Sequence, residues 1–305
     1  MSHGPSEADD APASSLAAAQ AVARAHGVAC DDAVRIAAGS NVLVHLKPAP
    51  VVARVMAGTA VLHDDAEQWL AREVAVGAFL AGRTDLVVPP TDILPPGPHE
   101  RDGLWMTLWK FVPHDEQAPP PEPRELGRSL RALHAALADF PSDLAPLSEI
   151  RDWLDRLLAE LRPSTPLTQR DIDWLRFDLD ALTPAVFESS LPAQALHGDA
   201  SMSNLLRTGS GLVWTDLEDV CVGPVAWDIA GLVASARGQS PTFSEELLAA
   251  YGEPGVEGLE PFLEAHALYD IVWQAFEARR RPQAMKRAAA SLALWRGSRA
   301  SRRRS

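Results

Sequence analysis

Apolar residues recur along this chain with two different periods, and the change of period divides it. From Val34 to Val61 they fall in short β-rich runs: Val34-Arg-Ile36, Val42-Leu-Val-His-Leu46 and Val51-Val-Ala-Arg-Val55. A Lys47-Pro-Ala-Pro50 turn separates the last two. Ahead of them, Ser14 or Ser15 can cap a helix running to about His26 and closed by Gly27. Residues 1–13, rich in Ser, Pro, Ala and Asp, are expected to be disordered. Residues 66–81 read as a helix with Leu70, Val74 and Gly77 on one stripe. Leu86-Val-Val88 and Leu104-Trp-Met-Thr-Leu-Trp109 follow as strands, with a Pro/Gly-rich turn around Pro95–Pro98 between them.

Past the acidic, Pro-rich stretch from Pro113 to Pro123 the pattern turns helical. Leu126, Leu130, Leu133 and Leu137 recur at helical spacing, and helices are expected at about 148–161 and 168–189, split by Pro163 and Pro166. The segment 195–216 interrupts them with two short strands around Leu205-Leu-Arg207 and Leu212-Val-Trp214. From about Val225 the chain is helical again. The period change thus predicts a β-rich domain over 14–112 and a mainly helical one over 113–297, with a basic disordered tail at 298–305.

Composition sets broad limits. The chain has 305 residues, 47% hydrophobic and 23% charged, ordinary values for a soluble globular protein. No apolar run reaches the roughly 18 residues of a membrane helix, and the polar, acidic start is unlike a secretory signal. Cys30 and Cys221 stand in separate halves without metal-binding spacing. They read as small buried residues in a reducing cytoplasm.

Charge changes the picture more. Residues 1–110 carry 8 basic and 13 acidic side chains, residues 111–278 carry 10 and 28, and residues 279–305 carry 10 and none. The middle block would repel nucleic acid and attract cations. The basic end, with Arg279-Arg280-Arg281 and the closing arginines, reads either as an RNA or membrane contact or, the commoner case, as a solvated helix face plus a frayed tail.

The chemistry is concentrated in Leu196-His197-Gly198-Asp199-Ala200-Ser201-Met202-Ser203-Asn204, followed by Val213-Trp214-Thr215-Asp216-Leu217-Glu218. A carboxylate, an amide five residues later and a second carboxylate after an apolar run are what phosphoryl transfer to a hydroxyl requires. One carboxylate takes the proton. The amide and the other carboxylate hold Mg²⁺ through hard oxygens. The segment resembles the kinase catalytic loop, with His-Gly-Asp in place of His-Arg-Asp. That variant resembles the aminoglycoside phosphotransferase and choline kinase-like family of small-molecule kinases.

The resemblance implies an α+β, protein kinase-like bilobal fold: a small β-rich N-lobe with one paired helix, binding nucleotide, and a larger, mainly helical C-lobe. It assigns Asp199 as catalytic base and Asn204 and Asp216 as metal ligands. Val51-Val-Ala-Arg54 stands where Val-Ala-x-Lys would be, so Arg54 becomes the phosphate clamp, as a planar fork in place of a point charge. Its partner is Glu73, or Glu67 earlier on the same helix. Ala38-Gly39-Ser40-Asn41 is either a nucleotide flap, using backbone N–H groups of Ser40 and Asn41, or a plain hairpin turn. Lys110, Phe111 and Val112 should form the interlobe strand whose backbone meets adenine. Glu218 is an extra metal or water ligand, counted with the candidate substrate-site residues, or an ordinary hydrogen-bonded Glu. Gly223-Pro-Val-Ala-Trp227-Asp228 completes the match, with Asp228 expected to bind backbone N–H groups near His197. His197 and His134 read as structural.

The expected activity is ATP- or GTP-dependent, Mg²⁺-dependent O-phosphotransfer to a small hydroxylated molecule. The acidic block suggests a cationic acceptor: an aminoglycoside, another amine-bearing antibiotic or choline. Asp270 and Trp273, one turn apart, are the candidate acceptor contacts, Trp273 being equally readable as core. The partners expected are nucleotide triphosphate and acceptor, with no nucleic acid and no membrane, in a monomer or homodimer. The alternative is a pseudokinase that holds nucleotide without transferring phosphate, for which Arg54 is the best argument. A protein kinase fits less well, since no Ala-Pro-Glu or long activation segment lies between Asp216 and Asp228.

Overall fold

The structure, a computed structural model, describes residues 7–39, 41–56, 65–115, 117–141, 144–163, 167–236, 239–252, 258–278 and 284–302. The chain divides into two compact units: Met1–Pro120 with Ala135–Pro141 and Asn204–Val220, and Pro121–His134 with Ser142–Ser203 and Cys221–Ser305.

The first unit opens with helix α1 (Glu7–Ala25), which starts ahead of the expected Ser14 or Ser15 cap and so runs through residues 7–13, expected to be disordered. Ser15 is fully buried on the face that carries Ala18, Ala19 and Val22. It packs where a cap was expected. Strands β1 (Cys30–Ala38), β2 (Asn41–Pro48) and β3 (Val51–Met56) follow, then helix α2 (Ala66–Ala81) and strands β4 (His99–Arg101) and β5 (Leu104–Lys110). The strands form one antiparallel sheet in the order β1-β2-β3-β5-β4. Val51, Ala53 and Val55 of β3 and Met106 and Leu108 of β5 share a core with the small residues of α1. Side chains alternate along a strand, so Arg54 and Thr107, paired across β3 and β5, point to the other face.

Two expectations change here. Leu86–Val88 forms only a bridge to Trp214, with Val88 N–H to Trp214 O at 2.8 Å and Trp214 N–H to Leu86 O at 2.7 Å. Pro89 and Pro90 follow it and have no N–H to extend the ladder. The strand beside β5 is instead β4, joined to it through Asp102 (φ 55°) and Gly103 (φ 78°). An Asp-Gly pair with positive φ at both positions is the favoured two-residue hairpin turn.

On α2 the buried stripe is Trp69, Leu70, Glu73, Val76, Gly77 and Leu80, with Glu73 in place of the expected Val74. A polar side chain enters this stripe because the opposite strands offer it partners. Gly77 leaves room for the Trp109 ring, which a Cβ there would meet at 2.7 Å.

The second unit is mainly helical: α3 (Pro123–Leu137, its residues from Ala135 on being counted in the first unit), α4 (Ser148–Glu160), α5 (Gln169–Val186), then strand β6 (Ala193–Leu196). The hairpin β7 (Leu205–Thr208) and β8 (Gly211–Trp214) belongs to the first unit. Strand β9 (Cys221–Pro224) pairs with β6, and α6 (Ala226–Ser235), α7 (Pro241–Tyr251), α8 (Glu260–Glu277) and α9 (Ala284–Arg302) complete the chain. Residues 298–302 contain no Gly or Pro, so α9 continues through the start of the expected tail. Leu126, Leu130, Leu133 and Leu137 are fully buried, as their spacing predicts. Thr168 and Asp171 form a capping box at the start of α5. Asp171 also accepts from Arg296 Nε at 2.9 Å, tying α9 to α5. Among the described residues no helix is long and apolar enough to cross a membrane. Cys30 and Cys221 are both buried and in no disulfide.

Candidate active site

The strand alternation that turns Arg54 away from the α1 core leaves a guanidinium 4% exposed beneath α2. Its Nη1 meets Glu73 Oε2 at 3.3 Å. Its Nη2 meets Asp216 Oδ1 at 2.8 Å and also pairs with Glu218 Oε2. Glu73 Oε2 further accepts from Thr107 Oγ1 at 3.1 Å, and Thr107 in turn accepts from Trp109 Nε1 at 2.8 Å. Glu218 Oε1 accepts from Asn41 Nδ2 at 3.1 Å. Glu67, the other expected partner for Arg54, is exposed, as is Lys47.

One guanidinium thus faces three carboxylates. Burial pushes the Glu73 carboxyl up to about 8; the charge of Arg54 opposes this, while those of Glu218 and Asp216 add to it. Burial pushes Glu218 up to about 7, again against the Arg54 charge and with that of Asp216. Burial would lower the Arg54 guanidinium, but Asp216, Glu218 and Glu73 hold it well above its ordinary value. Three carboxyls compete for one guanidinium and two of them are pushed toward holding a proton, which is the electrostatics of a place that stabilises an added cation.

Asp216 belongs to this cluster because of the β7–β8 hairpin. The register pairs Leu205 with Trp214, and Thr215 N–H donates to Asn204 O at 3.0 Å. Asn204, buried, therefore lies beside the end of β8. Asp216 follows in the left-handed region, at φ 66° and ψ 62°, a conformation that Asp tolerates better than most residues and that recurs at functional sites. The amide and the half-buried carboxylate are hard oxygen donors of the kind that fits Mg²⁺ alongside phosphate oxygens. Among the described residues no group of three His, Cys, Asp or Glu is arranged to hold a metal ion.

In the second unit, Asp199 follows β6, half-buried, just after Gly198 at φ 87°. That turn is held from behind by Asp228 on α6, fully buried. Its carboxylate accepts from His197 N–H at 2.8 Å and from Gly198 N–H at 2.9 Å, as the sequence suggested. It also accepts from His134 Nε2 at 2.9 Å, and His134 Nδ1 contacts the Tyr251 hydroxyl at 2.8 Å. Burial alone would raise the Asp228 pKa; the His134 hydrogen bond and charge, with His197, bring it below the usual carboxylate value. Trp227 Nε1 donates to Gly198 O at 2.7 Å. Backbone amides and an indole N–H therefore fix the loop on both sides of Gly198.

Other expected residues sit differently. Ser40 lies outside the described residues. Lys110 is still in β5: its Nζ pairs with Asp92 at 2.7 Å on the surface, and its N–H donates to Pro89 O at 3.0 Å. Phe111 N–H donates to Pro50 O at 2.8 Å, and its ring stacks on His45 with centroids 4.0 Å apart. The N–H groups of these two residues are thus engaged within the unit. Val112 O contacts His114 Nδ1 at 2.9 Å. On α8, Asp270 is half-buried, and Trp273 packs against Trp153 at 5.5 Å and Phe276 at 6.1 Å. Thr107, Trp109 and Tyr251 went unread because no local pattern marks a residue whose partner comes from another element.

A β-rich unit with a buried Arg paired to Glu, and a helical unit whose His-Gly-Asp loop is held by a buried Asp, define a protein kinase-like fold. The sequence pattern of the phosphotransferase enzyme family APH matches residues 32–262, and the chain belongs to that family. It is a small-molecule kinase. No protein of curated function matches the sequence. Among solved structures, a microcompartment-associated aminopropanol kinase is similar over 93% of this chain and 97% of its own, at 18% identity and a TM-score of 0.68. The GDP and kanamycin complex of APH(2")-IIIa is similar over 94% and 98%, at 14% identity and 0.64. Choline kinase LicA from Streptococcus pneumoniae is similar over 90% and 98%, at 13% identity and 0.62.

Proposed function

We propose that the protein transfers the γ-phosphoryl group of ATP or GTP, with Mg²⁺, to a hydroxyl of a small cationic molecule. The observation that carries this reading is the Arg54 cluster, where Glu73 at 3.3 Å and Asp216 at 2.8 Å share one buried guanidinium. Asn204 and Asp216 would hold the metal, which when bound offsets triphosphate charge. Arg54 clamps phosphate oxygens while Glu73 and Thr107 fix its orientation. Asn41 contributes to nucleotide binding, as does the backbone of Lys110, Phe111 and Val112 through groups other than the Lys110 and Phe111 N–H, which Pro89 and Pro50 occupy. Residues 14–112 form the nucleotide-binding lobe, and 113–297 carry the catalytic loop, metal residues and acceptor site.

Asp199 takes the acceptor proton as the hydroxyl oxygen bonds to the γ-phosphorus and the bond to the β-phosphate oxygen breaks, releasing nucleoside diphosphate. Catalysis is positional and electrostatic, without a covalent enzyme intermediate. Asp228 contributes by fixing the His197–Gly198 backbone, and hence where Asp199 projects. Asp270 and Trp273 contact the acceptor. Aromatic packing supports that choice: Tyr269, next to Asp270, lies edge-on to Trp227 at 6.3 Å, and Trp227 holds Gly198. Aromatic faces beside carboxylates suit an ammonium group. Neighbouring structures with kanamycin, or named for choline and aminopropanol, support an amine-bearing acceptor. The reading places the protein in the cytoplasm, as monomer or homodimer.

The test is phosphotransfer against a panel of hydroxylated amines and sugars. Wild type should turn over an acceptor only with divalent metal. Asp199→Asn should bind nucleotide normally and lose about 10²–10⁴ in turnover. A variant retaining more than about a third of the wild-type rate would remove Asp199 as the base. Nucleotide binding without transfer to any acceptor would favour the pseudokinase.

A further inference from the structure

The sequence leaves Glu218 open between an extra ligand and an ordinary hydrogen-bonded Glu, and in the structure its carboxylate is hydrogen-bonded and ion-paired within the first unit. It is 8% exposed. Oε1 accepts from Asn41 Nδ2 at 3.1 Å, and Oε2 pairs with the Arg54 guanidinium. Asn41 and Glu218 are 177 residues apart in sequence. Through these two contacts Glu218 joins three parts of the first unit: the start of β2, next to the β1–β2 turn; the middle of β3; and the turn that follows β8.

The arrangement depends on residue 54 being Arg. Nη1 is directed to Glu73 on α2, while Nη2 is shared by Asp216 and Glu218. A guanidinium spreads donors over a planar fork and can serve both directions at once; an ammonium offers one compact charge. Without Glu218, Nη2 would be left to Asp216 alone, and the Asn41 amide would lose the acceptor that sets its orientation.

We propose that Glu218 is a positioning residue, which fixes Asn41 and Arg54 for nucleotide binding and itself touches neither metal, phosphate nor acceptor. The proposal rests on the phosphotransferase reading, and it assigns Glu218 a place in the nucleotide half of the site. Its action runs through two other side chains, so its loss and the loss of Asn41 must overlap.

The test is nucleotide affinity by titration calorimetry, with EDTA and with Mg²⁺, for wild type, Glu218→Ala, Glu218→Gln, Asn41→Ala and the Asn41→Ala/Glu218→Ala pair. Glu218→Ala should weaken nucleotide binding about 10-fold with EDTA as well as with Mg²⁺, since a charged hydrogen-bond acceptor is lost. The double variant should be no weaker than Glu218→Ala within about 2-fold, the signature of coupled residues. Glu218→Gln, which keeps an acceptor for Asn41, should recover part of the affinity. If Glu218→Ala does not fold, Asn41→Asp decides: a second carboxylate facing Glu218 should weaken metal-free binding beyond Asn41→Ala. Additive losses, a loss seen only with Mg²⁺, or Asn41→Asp binding as well as Asn41→Ala would each overturn the proposal. Those outcomes leave wild-type binding intact and sink this assignment alone; a wild type that binds no nucleotide sinks the phosphotransferase reading and this one together.

Discussion

The buried carboxylates around Arg54 in the first unit and the buried Asp228 carboxylate in the second are balanced in opposite senses. Around Arg54, Glu73, Asp216 and Glu218 share one guanidinium, and the two most buried carboxyls are pushed up to about 8 and about 7. Around Asp228, one carboxylate accepts two backbone N–H groups and the His134 ring, and its pKa falls. The first cluster is short of positive charge and improves when a cation arrives. The second is complete without any ligand. The difference separates a cluster that an added cation would stabilise from one that holds a loop still.

Asp228→Ala gives the largest effect. It strips three buried donors of their acceptor, so unfolding should become easier by about 3–5 kcal/mol, read as a lower midpoint in chemical denaturation. Asp216→Asn without ligands should do the reverse or nothing. It removes one of three crowded negative charges and leaves Arg54 with Glu73 and Glu218, so the midpoint should stay within about 1 kcal/mol or rise. Equal destabilisation by the two substitutions would erase the contrast.

The pH response should differ in sign as well. Asp228 has a depressed folded-state pKa, so its contribution is present above the ordinary carboxylate value and is lost as the solution is acidified through the folded one. Asp171, lowered to about 2 by Arg296 and Thr168 against the effect of burial, behaves the same way between about 4 and 2. Glu73 has a raised folded-state pKa, so stability is full below the unfolded value and is lost progressively up to about 8. Thermal midpoints of ligand-free protein should therefore decline from pH 5 to 8, and Glu73→Gln should flatten that decline. A profile unchanged by Glu73→Gln would place the charge excess elsewhere.

The smallest effect concerns the acceptor. Exposed charges are screened over roughly 10 Å at 0.1 M salt. The KM of a cationic acceptor should rise with salt, and Asp270→Asn should raise it with the ATP KM almost unchanged. A neutral preferred acceptor, or no effect at Asp270, would remove the charge argument and leave the phosphotransferase reading intact.

Sequence spacing exposed the candidate residues that lie close together along the chain. Asp199 and Asn204 sit in one loop, with Asp216 at the end of the following hairpin. Arg54 and Glu73 were readable because a strand and the next helix form a local unit. Asp228 was readable through its own motif. Asn41 with Glu218, and Thr107 with Glu73, were not, since the chain returns to the same place after long intervals and leaves no local pattern. The Glu73 stripe on α2 was misread by one position because hydrophobic periodicity expects Val74, while a buried ion pair turns the polar side chain inward. Strand β4 was missed although its Asp-Gly turn is a strong local signal, because three residues with no apolar run do not look like a strand.

The account rests on the Arg54 cluster and the neighbouring Asn204 being the place where metal-bound nucleotide is held. Calorimetric titration of nucleotide, with and without Mg²⁺, into wild type, Asn204→Ala and Asp216→Ala tests this most directly. Mg²⁺ should strengthen binding in wild type, less so in Asn204→Ala, and not at all in Asp216→Ala, which removes a charged ligand where the other removes a neutral one. Equal, metal-independent affinity in all three proteins would contradict it.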